Sequence, residues 1–172
     1  MNSHKRPGEK PVPRVPMLIA TALGAGLCPK APGTAGTAAG VLVWLVVASL
    51  VPIEALEWLM LSLICLFTIL GIWSTAVVSL SWGDDPSRVV IDEVVGVWVA
   101  LMAAPAYELE NRVWMALAAF VLFRFFDIVK PLGIKRLDRK QGALWVMADD
   151  IVAGIYSLVV LLAVGLCPGW II

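Results

Sequence analysis

Apolar residues run in five blocks along the chain, at about residues 37–51, 58–82, 89–104, 113–129 and 151–166, with short polar breaks between them. Val, Ile and Trp are frequent in these blocks, but the alternating ten-residue pattern of barrel strands is not visible. Lipid permits only helices or closed barrels, so the pattern predicts helices. Only the second block comfortably meets the roughly 20 residues that a spanning helix needs. The shorter ones are expected to start in the headgroup layer or to pack in a bundle with polar ends. The expected fold is all-α: a multihelical integral membrane bundle with about five membrane helices and a glycine/proline-rich loop before the first. Residues 1–16 read as a polar, basic, proline-rich tail, and residues 17–172 as the membrane domain. The basic tail followed by the apolar run Met17 to Leu27 has the outline of a signal peptide, with Ala20-Thr21-Ala22 as a partial cleavage site. Because that run passes straight into a Gly/Pro/Thr motif, retention is the expectation.

The breaks set an orientation. The first and third connections carry Glu54, Glu57, Glu108 and Glu110 against Arg112 alone. Basic residues gather instead in the N-terminal region (Lys5, Arg6, Lys10, Arg14, Lys30) and in the fourth connection (Lys130, Lys135, Arg136, Arg139, Lys140). Five spans with the N-terminus inside put both basic regions on the cytoplasmic side, as the positive-inside rule requires. The C-terminus is then expected outside. Composition agrees with a membrane protein: 60% hydrophobic and 15% charged residues, with a mean hydropathy of +0.90, against about 45–50% and 25% in soluble domains. A formal net charge of zero offers no field for nucleic acid. Three scattered cysteines form no zinc or disulfide pattern. The one histidine, His4, lies in the tail, which leaves little room for histidine catalysis.

Against this background certain charges stand where hydrophobicity would place none. Asp92 and Glu93 lie within Val89-Val90-Ile91-Asp92-Glu93-Val94-Val95-Gly96, Arg124 and Asp127 within Phe123-Arg124-Phe125-Phe126-Asp127, and Asp149-Asp150 before Ile151-Val152-Ala153-Gly154. A charge in lipid costs roughly 2.5–3.5 kcal/mol on insertion scales, so each needs a partner, a metal or water. The five-span topology brings all of them to the cytoplasmic ends of their helices. Plain structural readings exist for some: Arg124 and Asp127 share a helix face as an ion pair, and Asp149-Asp150 suit N-capping carboxylates. The segment from Gly26 to Gly40, including Lys30, Gly33, Thr34, Gly36 and Thr37, offers glycine N–H groups and a helix start to an anion, or a tight turn with small packing residues. Carboxylates for a hard cation, an anion loop and nearby Lys or Arg together make the parts for Mg²⁺-assisted phosphoryl chemistry.

These motifs resemble a known family. Pro29-x-x-Pro32-Gly33-Thr34-x-Gly36-Thr37, Val90-Ile91-Asp92-Glu93-x-x-Gly96, Phe123-Arg124-x-x-Asp127-x-x-Lys130-Pro131 and Asp149-Asp150-x-x-Ala153-Gly154 resemble, in order, the phosphatidylglycerophosphatase A family, over most of residues 24–156. The resemblance implies a bacterial inner-membrane enzyme that converts phosphatidylglycerophosphate to phosphatidylglycerol with Mg²⁺, and the loop charges put its site on the cytoplasmic side. It implies catalytic roles for Asp92, Glu93, Asp127, Lys130, Asp149 and Asp150, with Asp92, Glu93, Asp149 and Asp150 as metal ligands. Lys30, Gly33, Thr34, Gly36, Thr37, Arg124 and Lys130 are the expected phosphate-binding set. Attack by water and attack by a carboxylate, through an acyl phosphate, both remain open. Two departures stand out: Trp145 within Gly142 to Met147, where the family usually has a glycine-rich turn, and Pro131-Leu132-Gly133 in place of Pro-x-Pro. A cation transporter or channel is the alternative reading, since intramembrane carboxylates also mark ion pathways. A non-enzymatic scaffold is a third, which leaves the carboxylates without a cation.

Overall fold

Proline and glycine mark the helix boundaries in the computed structural model, which describes residues 12–84, 86–106, 111–131 and 142–165. Helix α1 covers Arg14–Ala20 and leads into a 3₁₀ turn at Ala25–Leu27. Helix α2, Pro32–Leu50, begins with proline at a position where no N–H is missed. Helix α3, Ile53–Trp82, starts after Pro52 and stops at Gly83, whose φ of 89° glycine adopts without strain. Helices α4, Ile91–Leu101, and α5, Arg112–Val129, follow, separated by a 3₁₀ turn at Ala104–Ala106. Helix α6 covers Ala143–Gly165. No strand occurs among the described residues.

Each of the five apolar blocks becomes a helix, but the helices are not equally suited to crossing. Three helices, α2, α3 and α6, are long and apolar enough to cross a bilayer. The 11 residues of α4 reach only about 16 Å, half the hydrocarbon thickness. All of α4 except Glu93 is buried, with α2, α3, α5 and α6 packed around it. Protein covers the apolar run 91–101, where the sequence suggested lipid. Helix α5 has 18 residues but includes Arg112, Arg124 and Asp127. Two boundaries also move. The segment 32–36, expected as loop, is the opening of α2, and Asp149-Asp150, expected ahead of a helix, lie about two turns into α6. The fourth connection's Lys135, Arg136, Arg139 and Lys140 lie outside the described residues, as do Lys5, Arg6, Lys10, Glu108, Glu110 and the C-terminal Cys167.

Small residues let the inner helices approach closely. A Cβ on Gly154 of α6 would collide with the Gly96 carbonyl oxygen of α4, and one on Gly96 would lie 2.7 Å from the Asp150 carbonyl oxygen. On α2, Gly36 sits on Val90, and a Cβ on Gly40 would come within 2.8 Å of Val97. Gly40 also leaves its carbonyl open to the buried Trp98 indole, whose Nε1–H donates to it at 2.9 Å. Helix packing in lipid rests on such close contact and on hydrogen bonds, because no hydrophobic difference separates tails from side chains. Gly154→Val is therefore expected to force α6 away from α4 and cost at least about 1–3 kcal/mol. Thermal unfolding in detergent should show this as a lower Tm; an unchanged Tm would mean the contact is dispensable.

The helices alternate in direction. As a result α2, α4 and α6 begin, and α3 and α5 end, at the same end of the bundle.

Candidate active site

At that end lies a cavity of about 630 Å³. The first turn of α2 supplies Pro32, Gly33 and Thr34 to its wall, and α4 supplies Asp92 and Glu93. Arg124 and Asp127 enter from the last turns of α5, with Lys130 just past its end. Trp145, Val146, Asp149 and Asp150 line it from α6. Charges spread over 59 residues of sequence thus converge because five helix ends meet.

Asp92, Glu93 and Asp150 each offer a carboxylate oxygen, and the three atoms lie within 4.8 Å of one another. Two ionised carboxylates at that separation repel by about 3 kcal/mol at an effective dielectric of about 20. The Asp92 Oδ1 accepts the Glu93 backbone N–H at 3.1 Å. The Glu93 Oε2 is buried with no hydrogen-bond partner, and its Oε1 lies 3.9 Å from Arg124 Nη1. An orphaned buried carboxylate oxygen beside two further carboxylates fits a hard, oxygen-seeking cation.

The two cations of the cavity wall, Arg124 and Lys130, are paired. Arg124 Nη1 donates to Asp127 Oδ2 at 2.7 Å, one turn along the same helix. Lys130 caps α5 in the left-handed region (φ 48°, ψ 58°), and its N–H bonds the Phe126 carbonyl. That reversal aims its ammonium at α6, where Nζ donates to Asp149 Oδ2 at 2.8 Å. Asp149 therefore meets Lys130, while Asp92, Glu93 and Asp150 form the closest carboxylate group.

The expected phosphate-binding set divides. Gly33 and Thr34 line the cavity at the start of α2, a helix end that no side chain caps. A Cβ on Gly33 would strike Glu93 Oε1 and lie 3.0 Å from Arg124 Nη1, so glycine is what allows α2 to approach both. Gly36 and Thr37 are buried in packing: Gly36 faces Val90, and the Thr37 hydroxyl donates to the Gly33 carbonyl at 2.9 Å. Lys30 is exposed and not part of the cavity wall. Asp84 and Ser87, from the connection between α3 and α4, do line it and were not singled out from sequence. Gly83-Asp84 and Pro86-Ser87 have the composition of a turn, which hides any chemistry.

The architecture is that of a helical membrane protein with an acidic cavity at one end of its bundle. Comparison with known proteins narrows this. The family profile described as Phosphatidylglycerophosphatase A matches residues 18–165, and the chain belongs to that family. A protein of Bacteroides thetaiotaomicron named putative phosphatidylinositol-3-phosphatase is 46% identical over 147 residues, 86% of this chain and 91% of its own length. The phosphatidylglycerophosphatase A of Haemophilus influenzae is 36% identical over 86% of each chain. That of Escherichia coli is 35% identical over 86% of this chain and 82% of its own. No solved structure matches. Membership in a phosphatase family gives the transporter reading no support.

Proposed function

We propose that the protein hydrolyses the terminal phosphomonoester of phosphatidylglycerophosphate, releasing phosphatidylglycerol and phosphate at the cytoplasmic face of a bacterial inner membrane. The observation behind this reading is the convergence of Asp92, Glu93 and Asp150 in one cavity with the open first turn of α2 and Arg124. Asp92, Glu93 and Asp150 would hold Mg²⁺, which neutralises phosphate charge and makes water a better nucleophile.

The chain's own groups do the rest. Backbone N–H groups of Gly33 and Thr34, at the positive end of the α2 dipole, seat the phosphate oxygens. Arg124, oriented by Asp127, faces the same space and balances the charge that grows there in the transition state. Water forms the new P–O bond while the bond to the glycerol oxygen breaks. A carboxylate of the cluster takes the water's proton, and a proton must reach the leaving alkoxide. Lys130, held by Asp149 at the cavity wall, is the cation placed to meet that alkoxide.

The test is phosphate release by purified protein in micelles containing phosphatidylglycerophosphate. Activity should fall to background in chelator and return with added Mg²⁺. No release with Mg²⁺ present would sink the proposal. A second reading, an inositol lipid monophosphate as substrate, has the 46% identical relative behind it. The cavity of about 630 Å³ sits well inside the roughly 300–1,000 Å³ of small-molecule pockets and leaves room beyond a glycerol phosphate. Assaying phosphatidylinositol 3-phosphate on the same preparation decides between them by the ratio of kcat/KM values.

A further inference from the structure

The apolar run Met17 to Leu27, which resembles the core of a signal peptide, has no part in the cavity, yet it is built with care. It forms α1, packs against α3, and then reverses through three consecutive left-handed residues, Ala22 (φ 45°), Leu23 (φ 56°) and Gly24 (φ 102°). Two of these are not glycine, and a bulky residue at positive φ is uncommon enough to call for an explanation. The turn is well fastened. The buried Thr21 donates its hydroxyl to the Met17 carbonyl at 2.8 Å and accepts the Gly24 N–H at 3.2 Å, while the Leu23 N–H bonds the Leu18 carbonyl at 2.7 Å. This framework leaves Leu23 84% exposed, with Leu27 at 53% four residues on and Val15, in the first turn of α1, at 62%.

The turn is also fixed to the cavity end of the bundle. The Val90 N–H donates to the Ala20 carbonyl at 2.9 Å, two residues before Asp92. Gly26 sits directly on the Arg88 carbonyl, and Leu27 precedes the cavity-lining Ala31 by four residues. Exposed Arg14, Lys30 and Arg88 accompany the exposed leucines. Apolar side chains beside basic ones, on an element too short to cross, are what an interfacial membrane segment presents. The lipid-facing surfaces of α2 and α3 adjoin it.

We infer that α1 and the turn after it form an interfacial anchor. Leu23 and Leu27 insert into the acyl chains of the leaflet that holds the substrate, and Arg14, Lys30 and Arg88 meet its anionic headgroups. The anchor sets the height of the cavity against the headgroup plane through the Ala20–Val90 bond. Its occupant is the bilayer, not a protein.

The first measurement is depth. Leu23→Cys in a chain whose native cysteines are replaced by serine is labelled with a small fluorophore and placed in phosphatidylglycerol-containing nanodiscs, where quenchers reach both faces. Acyl-chain nitroxides should quench the label and aqueous iodide should not. Quenching by iodide would overturn the inference, and so would quenching by neither, which would mean that protein covers the turn. The second measurement uses Leu23→Gly, which relieves the left-handed strain while deleting the side chain. Its Tm should hold or rise, and turnover of a short-chain, micelle-dispersed substrate should be unchanged. Turnover of long-chain substrate in a bilayer should drop at least about five-fold, a modest share of what immersing one leucine contributes. Equal loss on both substrates, or no loss on either, would overturn the coupling. The activity arm rests on the lipid-phosphatase reading. If the wild type hydrolyses neither substrate, that reading fails, while the quenching result still decides the anchor.

Discussion

Asp150→Asn is expected to abolish phosphate release, by at least about 10²–10³-fold, the scale on which losing one preorganised electrostatic group slows catalysis. In chelator the same variant should melt higher than wild type. Its carboxylate lies in a group whose oxygens are within 4.8 Å of one another, with a buried Glu93 oxygen left unpartnered. Removing one carboxylate relieves up to about 3 kcal/mol of repulsion for each neighbour that is ionised, at an effective dielectric of about 20. Added Mg²⁺ should stabilise wild type, by about 2.7 kcal/mol at a hundred times Kd, and should barely affect the variant. Asp92→Asn and Glu93→Gln should behave alike. The measurements are turnover in micelles and Tm with and without Mg²⁺. A variant with wild-type turnover, or one that keeps the full Mg²⁺-induced rise in Tm, would remove that residue from the cation site.

Gly33→Ala carries the second large effect. One methyl group there would strike Glu93 Oε1 and press on the Arg124 guanidinium, at 3.0 Å from Nη1 and 3.3 Å from Nη2. Both are ends of flexible side chains, so the helix can survive while the site is displaced. Turnover should fall on the order of 100-fold, the loss expected when a reacting geometry shifts by about an ångström, with Tm nearly unchanged. The affinity for Mg²⁺ should fall as well, because Glu93 is moved. Crowding of the phosphate alone would leave Mg²⁺ affinity intact, so a Mg²⁺ titration of the variant separates the two. Thr34→Ala should be much milder: its side chain is exposed, and the backbone donors remain.

The site was more legible in the sequence than the fold around it. A carboxylate among valines is costly in any apolar setting, so Asp92 and Glu93 announce themselves whatever surrounds them. Arg124 and Asp127 are three residues apart on a helix, and their pairing follows from local geometry alone. Boundaries were harder. The glycines and threonines that open α2 have low helix propensity, and what holds them helical is contact with Val90 and Glu93, from a segment far along the chain. Apolar residues also do not say what covers them. The run from Val94 to Leu101 looks the same whether lipid or protein surrounds it, and only the packing of four other helices makes α4 an interior element. Asp84 and Ser87 come from a connection whose composition signals nothing but a turn. The Lys130–Asp149 pair spans a loop that sequence spacing cannot fold.

An interior α4 has a mechanical consequence. The helices that face lipid must tilt or bend when the hydrocarbon layer thickens or thins. The 11-residue helix that bears Asp92 and Glu93 has no lipid-facing length to match. It is suspended from its neighbours by the glycine contacts at Gly36, Gly40 and Gly154 and by the Trp98 bond to Gly40. Bilayer strain therefore reaches Asp92 and Glu93 only after passing through packed contacts that give little, whereas Asp150 rides on α6, itself long and apolar enough to cross, so thickness changes act on the third carboxylate more directly than on the other two.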